Sequence, residues 1–190
     1  MTDRDVSSIA CGWPAQGLRL RPLRPADVPG LLAVQRACYG DGLIEGAAVF
    51  ARRLAGAAQC SLALVRGADG AEGSLVAYLA AYRSVLGHIT PLQGDFCAVP
   101  GTAADTLYLH DMAVLPAFHG QGLARRLLAA AWQGARADGL RHAALVSVQG
   151  TQAYWARQGF AVRALAGAAQ RQRLAGYGDG AVYMVREGPG

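Results

Sequence analysis

Two glycines set two apart, just ahead of a pair of arginines, carry the clearest chemical signal in this chain: Gly120 and Gly122, followed by Arg125 and Arg126. Upstream, the apolar run at 107–114 reads as a buried strand, which Pro116 breaks. Downstream, Leu123, Leu127, Leu128 and Ala131 recur at helical spacing through Trp132 and Ala135, so a helix begins within the glycines. The first turn of a helix has backbone N–H groups without partners and the positive end of the macrodipole. Glycines at that point let an anion come close to those N–H groups, and the two arginines add charge on the same turn. The spacing predicts a phosphate-bearing ligand. A nucleoside-triphosphate loop requires Gly-Lys-Ser/Thr, and all 18 basic residues here are arginine. The dinucleotide fingerprint requires a third glycine where Arg125 stands and an acid about 20 residues further on, and neither is present.

The segment His119-Gly120-Gln121-Gly122-Leu123-Ala124 resembles the acetyl-CoA motif of the GNAT superfamily of N-acetyltransferases, Arg/Gln-x-x-Gly-x-Gly/Ala between a strand and a helix. Ala124 is the permitted alanine, and His119 replaces the usual first residue. Residues 18–28, with their Arg-Pro and Asp27, resemble the family's opening strand and the approach to its first helix. The run from Trp155 to Phe160 is similar to its Tyr-x-x-x-Gly-Phe signature with Trp for Tyr, and residues 177–185 look like its closing strand. The resemblance covers roughly Leu18 to Arg186. It implies an α+β fold, a single-domain mixed and mostly antiparallel central sheet flanked by helices. The expected division is a flexible tail over 1–17 and an acetyltransferase domain over 18–187.

What the resemblance implies for function is acetyl-CoA as acetyl donor and a primary amine of a small molecule or peptide as acceptor. Attack would be direct, within a ternary complex, so no protein nucleophile is needed. The loop from His119 through Gln121 and Leu123 to Arg125 would cradle the pyrophosphate, and the main chain of Met112, Ala113 and Val114 would hold the pantetheine arm. Gln149 and Thr151 fall where the family often has a polar capping side chain, and Trp155 lies beside the cofactor path. The family base sits on the strand before the loop, where His110 matches. Imidazole titrates near neutrality and suits proton removal from an amine. Strand alternation puts Tyr108, His110 and Met112 on one face and Leu109, Asp111 and Ala113 on the other. Asp111 is a second candidate base, expected to point into the helix layer. An indole N–H is too weak an acid to protonate a thiolate, so Tyr154 and Tyr177, with Tyr108, are the candidate acids. Two alternatives stand beside this reading: a non-catalytic acyl-CoA-binding or sensing module, and transfer of a longer acyl group.

The elements that must position these groups follow from periodicity and turn residues. Strands are expected near 18–23, 61–66, 75–83 and 142–148, with helical stretches at 26–39, 46–57 and 152–157. Residues 67–70, Gly-Ala-Asp-Gly, read as a hairpin turn. The stretch 84–105 is rich in Gly and Pro without periodicity; it suits either substrate selection or a mobile surface insertion.

Composition bounds the rest. At 190 residues and 53% hydrophobic, the chain suits one domain with a substantial core. No apolar run approaches a membrane span and the N-terminus lacks the order of a secretion signal, so the expectation is a cytoplasmic protein with no membrane partner. Cys11, Cys38, Cys60 and Cys97 are scattered without metal-ligand spacing, which predicts reduced thiols and no metal. The net charge of +5 comes from dispersed arginine pairs without interleaved aromatics, an argument against nucleic acid and in favour of attraction to polyanionic CoA. A homodimer is compatible with the resemblance.

Overall fold

The computed structural model describes residues 17–39, 43–56, 58–67, 73–96, 99 and 103–188. The expected tail over 1–17 lies, apart from Gly17, outside the described residues, as do most of the 67–70 turn, Cys11 and Cys97. In chain order the elements are β1 (Leu18–Pro22), α1 (Val28–Cys38), α2 (Ala47–Ala55), β2 (Leu62–Arg66), β3 (Ser74–Ser84) and β4 (Thr106–Val114). They continue with α3 (Leu123–Ala137), β5 (His142–Ser147), α4 (Gln152–Arg157), β6 (Ala161–Val162), α5 (Ala168–Ala175) and β7 (Val182–Glu187). The strands form one seven-stranded sheet in the order β1-β2-β3-β4-β5-β7-β6. Neighbours are antiparallel except β4 and β5, which run parallel and are joined through α3. The α+β architecture expected from the sequence, a mostly antiparallel sheet with flanking helices, is the one found.

Apolar side chains split between the two faces of this sheet. On one, Leu123, Leu127, Leu128 and Trp132 of α3 pack against Leu79, Leu107, Leu109 and Leu145. The other is covered by α1 and α2, with Leu31, Val34, Phe50 and Leu54 against Ala63, Val65, Tyr78 and Ala113. The sheet thus fixes both helix layers to β4. The start of α1 is clamped in turn: Arg21 on β1 forks both carboxylate oxygens of Asp27 at 2.6 Å, and Asp27 accepts the Arg24 N–H at 2.8 Å.

Three elements depart from the sequence expectation, each for a local reason. β4 does not alternate evenly. Ala81 faces Leu109 while Ala80 faces Asp111, so His110 is the extra residue of a β-bulge. Past it the faces swap: Met112 and Val114 join the α3 side with Leu107 and Leu109, and Asp111 and Ala113 join the α1 side. His110 and Asp111 therefore share a face, and Met112 is opposite them. Helix α5 has no buried residue and so no apolar stripe to read; it is tied down by Gln170 and Arg173, which bond the N–H and carbonyl of Ile89. The last strand begins at Val182 rather than Tyr177 because Gly178 and Gly180 both take positive φ in a turn.

Leu127 is fully buried between α3 and the sheet. Leu127→Ala is expected to cost about 2–5 kcal/mol, since the helix cannot collapse into the void, and to lower the urea midpoint without changing the slope.

Candidate active site

β4 and β5 pair only from Thr106 opposite His142 to Leu109 opposite Leu145. Beyond Leu109 the partner strand is lost while β4 continues to Val114. The strands part where the bulge lies, and a cleft of about 220 Å³ opens there. Glu45, His110 and Tyr177 line one part of it, and Gln149, Tyr154 and Trp155 another.

Behind His110 lies a buried charge network that the sequence reading missed. Glu45 and Arg53 are 2% and 1% exposed at their side chains and form a two-pronged pair at 2.6 and 2.7 Å. His110 Nε2 lies 2.6 Å from Glu45 Oε2, and the Gln93 N–H donates to Oε1 at 2.8 Å. Arg53 gives two further N–H groups to the Gly94 carbonyl at 2.6 and 3.0 Å. Burial alone would raise the Glu45 carboxyl, but the hydrogen bonds and positive charges of His110 and Arg53 outweigh it and hold it at about 2. An ionised Glu45 can only accept, so the hydrogen-bond network assigns the proton to Nε2. Nδ1 lies 3.5 Å from the Tyr177 oxygen.

Arg53 had a legible signal. Val49, Phe50, Arg53 and Leu54 form the buried stripe of α2, so a guanidinium sits where an apolar residue belongs. Its neighbour Arg52 is the ordinary surface arginine, paired with Asp95 at 3.0 Å with both side chains more than half exposed. Glu45 precedes the helix and carried no such pattern.

The stretch 84–105 supplies part of this network through Gln93 and Gly94. Among the described residues two non-glycines have positive φ, Gln93 at 59° and Gln149 at 53°; Gln149 lines the cleft and Gln93 bonds Glu45. The Gln93 side chain also bonds the Ile44 carbonyl and the Gly46 N–H, fixing the backbone on both sides of Glu45.

Asp111 is enclosed separately. It accepts the Tyr78 hydroxyl at 2.5 Å, the Tyr39 hydroxyl at 2.8 Å and the Gln35 amide at 3.2 Å. Burial still pushes its carboxyl up, and no cation pairs with it among the described residues. It points into the helix layer, as expected, and joins the end of α1 to the sheet.

Tyr177 donates to the Thr90 carbonyl at 2.5 Å, and burial pushes its phenol far up. Tyr154 is different: its hydroxyl is buried without a hydrogen-bond partner among the described residues, and burial raises its pKa too. Although neighbours on α4, Tyr154 and Trp155 both reach the cleft, ring centres 5.1 Å apart edge to face. Trp155 also packs on Phe160 at 5.5 Å and so closes the α3-side core.

At the far end of β4, Gly122 caps α3 with φ of 71°, and Gly120 has φ of 76°. A Cβ built on either would meet no atom within 4 Å. The N–H groups of Gly120 to Arg125 donate to no backbone carbonyl among the described residues; the first such bond is from Arg126 to Gly122. Bare, convergent N–H groups with open space in front of them fit a pyrophosphate. His119 turns back, its Nε2 2.8 Å from the Val114 carbonyl, which also takes the Cys38 thiol at 3.2 Å.

Because Glu45 is held below the usual 4.5, its contribution to stability is complete above that value and is lost as pH falls through about 2. Urea midpoints should therefore fall across that acid window in the wild type, and Glu45→Gln should flatten this limb while lowering stability at neutral pH.

Residues 41–160 match the model of the acetyltransferase (GNAT) family. No curated protein sequence matches the chain. Among solved structures, the ribosomal-protein-S18-alanine N-acetyltransferase of Escherichia coli is similar at 17% identity and TM-score 0.61, over 90% of this chain and 93% of that one. PaiA N-acetyltransferase of Thermoplasma acidophilum, in complex with coenzyme A, is similar at 13% identity and TM-score 0.60, over 90% and 98%. A GNAT-like decarboxylase, GphF, in complex with isobutyryl-CoA, is similar at 20% identity and TM-score 0.65, over 89% and 98%. At these identities the likeness is one of fold. The family match spans more than half of the chain and includes most of the cleft lining, the bulged strand and the paired glycines, and the chain belongs to the GNAT acetyltransferase family.

Proposed function

We propose that this protein transfers an acetyl group from acetyl-CoA to a primary amine of a small molecule or peptide, by direct attack in a ternary complex. The observation that carries the reading is the joining, along one strand, of an imidazole held by an ionised carboxylate to a bare glycine cradle. β4 runs from His110 through Met112, Ala113 and Val114 toward Gly120 and Gly122. The cradle and Arg125 would hold the pyrophosphate, and the main chain of Met112 to Val114 the pantetheine arm. When bound, acetyl-CoA supplies an activated thioester.

The chain's own residues then have three tasks. An alkyl ammonium holds its proton to a pKa near ~10 and cannot attack until it is removed. His110 Nδ1 takes that proton, directly or through a water, and the negative Glu45 stabilises the imidazolium that forms. Arg53 keeps Glu45 ionised, so it acts through His110 rather than on substrate. Main-chain N–H groups near Met112 face the developing oxyanion. For the departing sulfur, Tyr154 is the cleft-lining phenol whose O–H has no partner among the described residues; it donates a hydrogen bond rather than a full proton, since burial raises its pKa. Tyr177, committed to Thr90, sets its ring edge-on to the His110 ring, 6.5 Å between centres.

The rival reading, a non-catalytic acyl-CoA-binding module, has Trp155 at the family's tyrosine position in its favour. Thiol release measured over a panel of amines separates the two: turnover with any amine supports the enzyme, and CoA binding without turnover supports the module.

Acetyl-CoA should raise the melting temperature by mass action. Gly122→Val should abolish that shift, because its side chain would fill the cradle; an unchanged shift would place the cofactor elsewhere. His110→Ala should lower kcat by roughly 10²–10⁴-fold while acetyl-CoA affinity stays near wild type, the range for a lost general base. Wild-type turnover in that variant would leave His110 a structural residue.

A further inference from the structure

We propose that the outer face of α3 is a docking groove for an acidic amphipathic helix of a partner protein. An open groove of about 880 Å³ runs along this helix, separate from the catalytic cleft. Its floor presents Ala129 and Ala137, exposed above the buried Leu128 and Trp132, and its rim carries four guanidiniums, from Arg125, Arg136, Arg157 and Arg186. The first three of these arginines are exposed.

Among the described residues none of the four has a carboxylate partner. The acids nearest in sequence are already engaged, Asp138 with Arg83 and Glu187 with His142 and Arg163. Like charges gathered without counter-charge repel one another and are stabilised by an incoming anionic surface.

The dimensions and the floor choose among anions. Arg125 and Arg136 are separated by about 16 Å of helix, far more than one phosphate spans. An extended chain of acids or phosphates is required. A stacking platform for nucleic-acid bases is missing, since Trp132 is 7% exposed and the Arg186 guanidinium lies 5.4 Å from its ring centre. The exposed alanines between basic rims instead give the leucine-type stripe of a helix a shallow bed, with Glu or Asp beside it against the arginines. Arg125 also belongs to the cofactor cradle, so a partner seated here would abut the mouth of the CoA site.

The test uses the full-length protein and a fluorescent synthetic helix with leucines on one face and glutamates flanking them. Arg136→Glu combined with Arg157→Glu alters two exposed residues outside the catalytic cleft; its melting temperature reports folding, and Arg157→Gln is a milder companion. The expected result is saturable, salt-sensitive anisotropy, with affinity lower by about tenfold or more in the double variant, less in Arg157→Gln, and acetyl-CoA affinity unchanged. Equal binding to wild type and variants, or no peptide binding to wild type, would overturn the proposal. So would duplex DNA or inorganic polyphosphate displacing the peptide at lower concentration, which would make the groove a general polyanion site. A fall in affinity for acetyl-CoA but not for dephospho-CoA in the double variant would assign the groove to the cofactor's 3′-phosphate and would overturn it equally.

Discussion

Two parallel strands that pair for four residues and then part set the terms for this molecule. β4 and β5 are held together up to Leu109 and Leu145, and α3 between them anchors both through Leu123, Leu127 and Leu128. A sheet that stayed paired would have buried the main chain of Met112 to Val114 in a ladder and left no cleft. The bulge at His110 adds a second effect, since it lets adjacent residues turn to the same face. The imidazole and the Asp111 carboxylate thus enter the α1–α2 layer side by side, each into its own set of partners. Glu45 and Arg53 receive the first; Tyr39, Tyr78 and Gln35 receive the second.

A buried ion pair is costly unless each lone pair and N–H has a partner. Here the accounting is nearly complete: Glu45 accepts four donors, and Arg53 turns two further N–H groups to the Gly94 carbonyl. The cost reappears in the backbone. Gln93 takes a left-handed conformation that disfavours a side chain, and through it reaches Glu45, Ile44 and Gly46. The described part of the stretch 84–105 is the wall that makes the charge network satisfiable, held by Gln170 and Arg173 of α5 and by Tyr177 just beyond it.

The fold was legible where one side chain pattern had one physical meaning. The strand–glycine–helix unit at 107–137 and the short helix α4 could be read directly, because apolar period and turn residues agree there. Alternation failed at His110 because a bulge leaves no local signature in a sequence; it is a property of pairing with β3. Helix α5 was invisible because it buries nothing. Within the site, the cradle and His110 announce themselves, while Glu45 lies 65 positions away and acquires its meaning only through the packing of α2 on the sheet. Arg53 was the missed opportunity, a charge on an otherwise apolar stripe, hidden by the exposed Arg52 beside it.

The proposed chemistry depends on the state of one ring: Glu45, ionised, must hold the proton on His110 Nε2 and leave Nδ1 bare toward the cleft. Long-range ¹H–¹⁵N correlation on imidazole-labelled protein at neutral pH reads this directly. The account predicts a pyrrole-type Nε2 and a pyridine-type Nδ1 for His110, with that preference weakened or lost in Glu45→Gln. A proton resident on Nδ1, or a tautomer indifferent to Glu45, would contradict it.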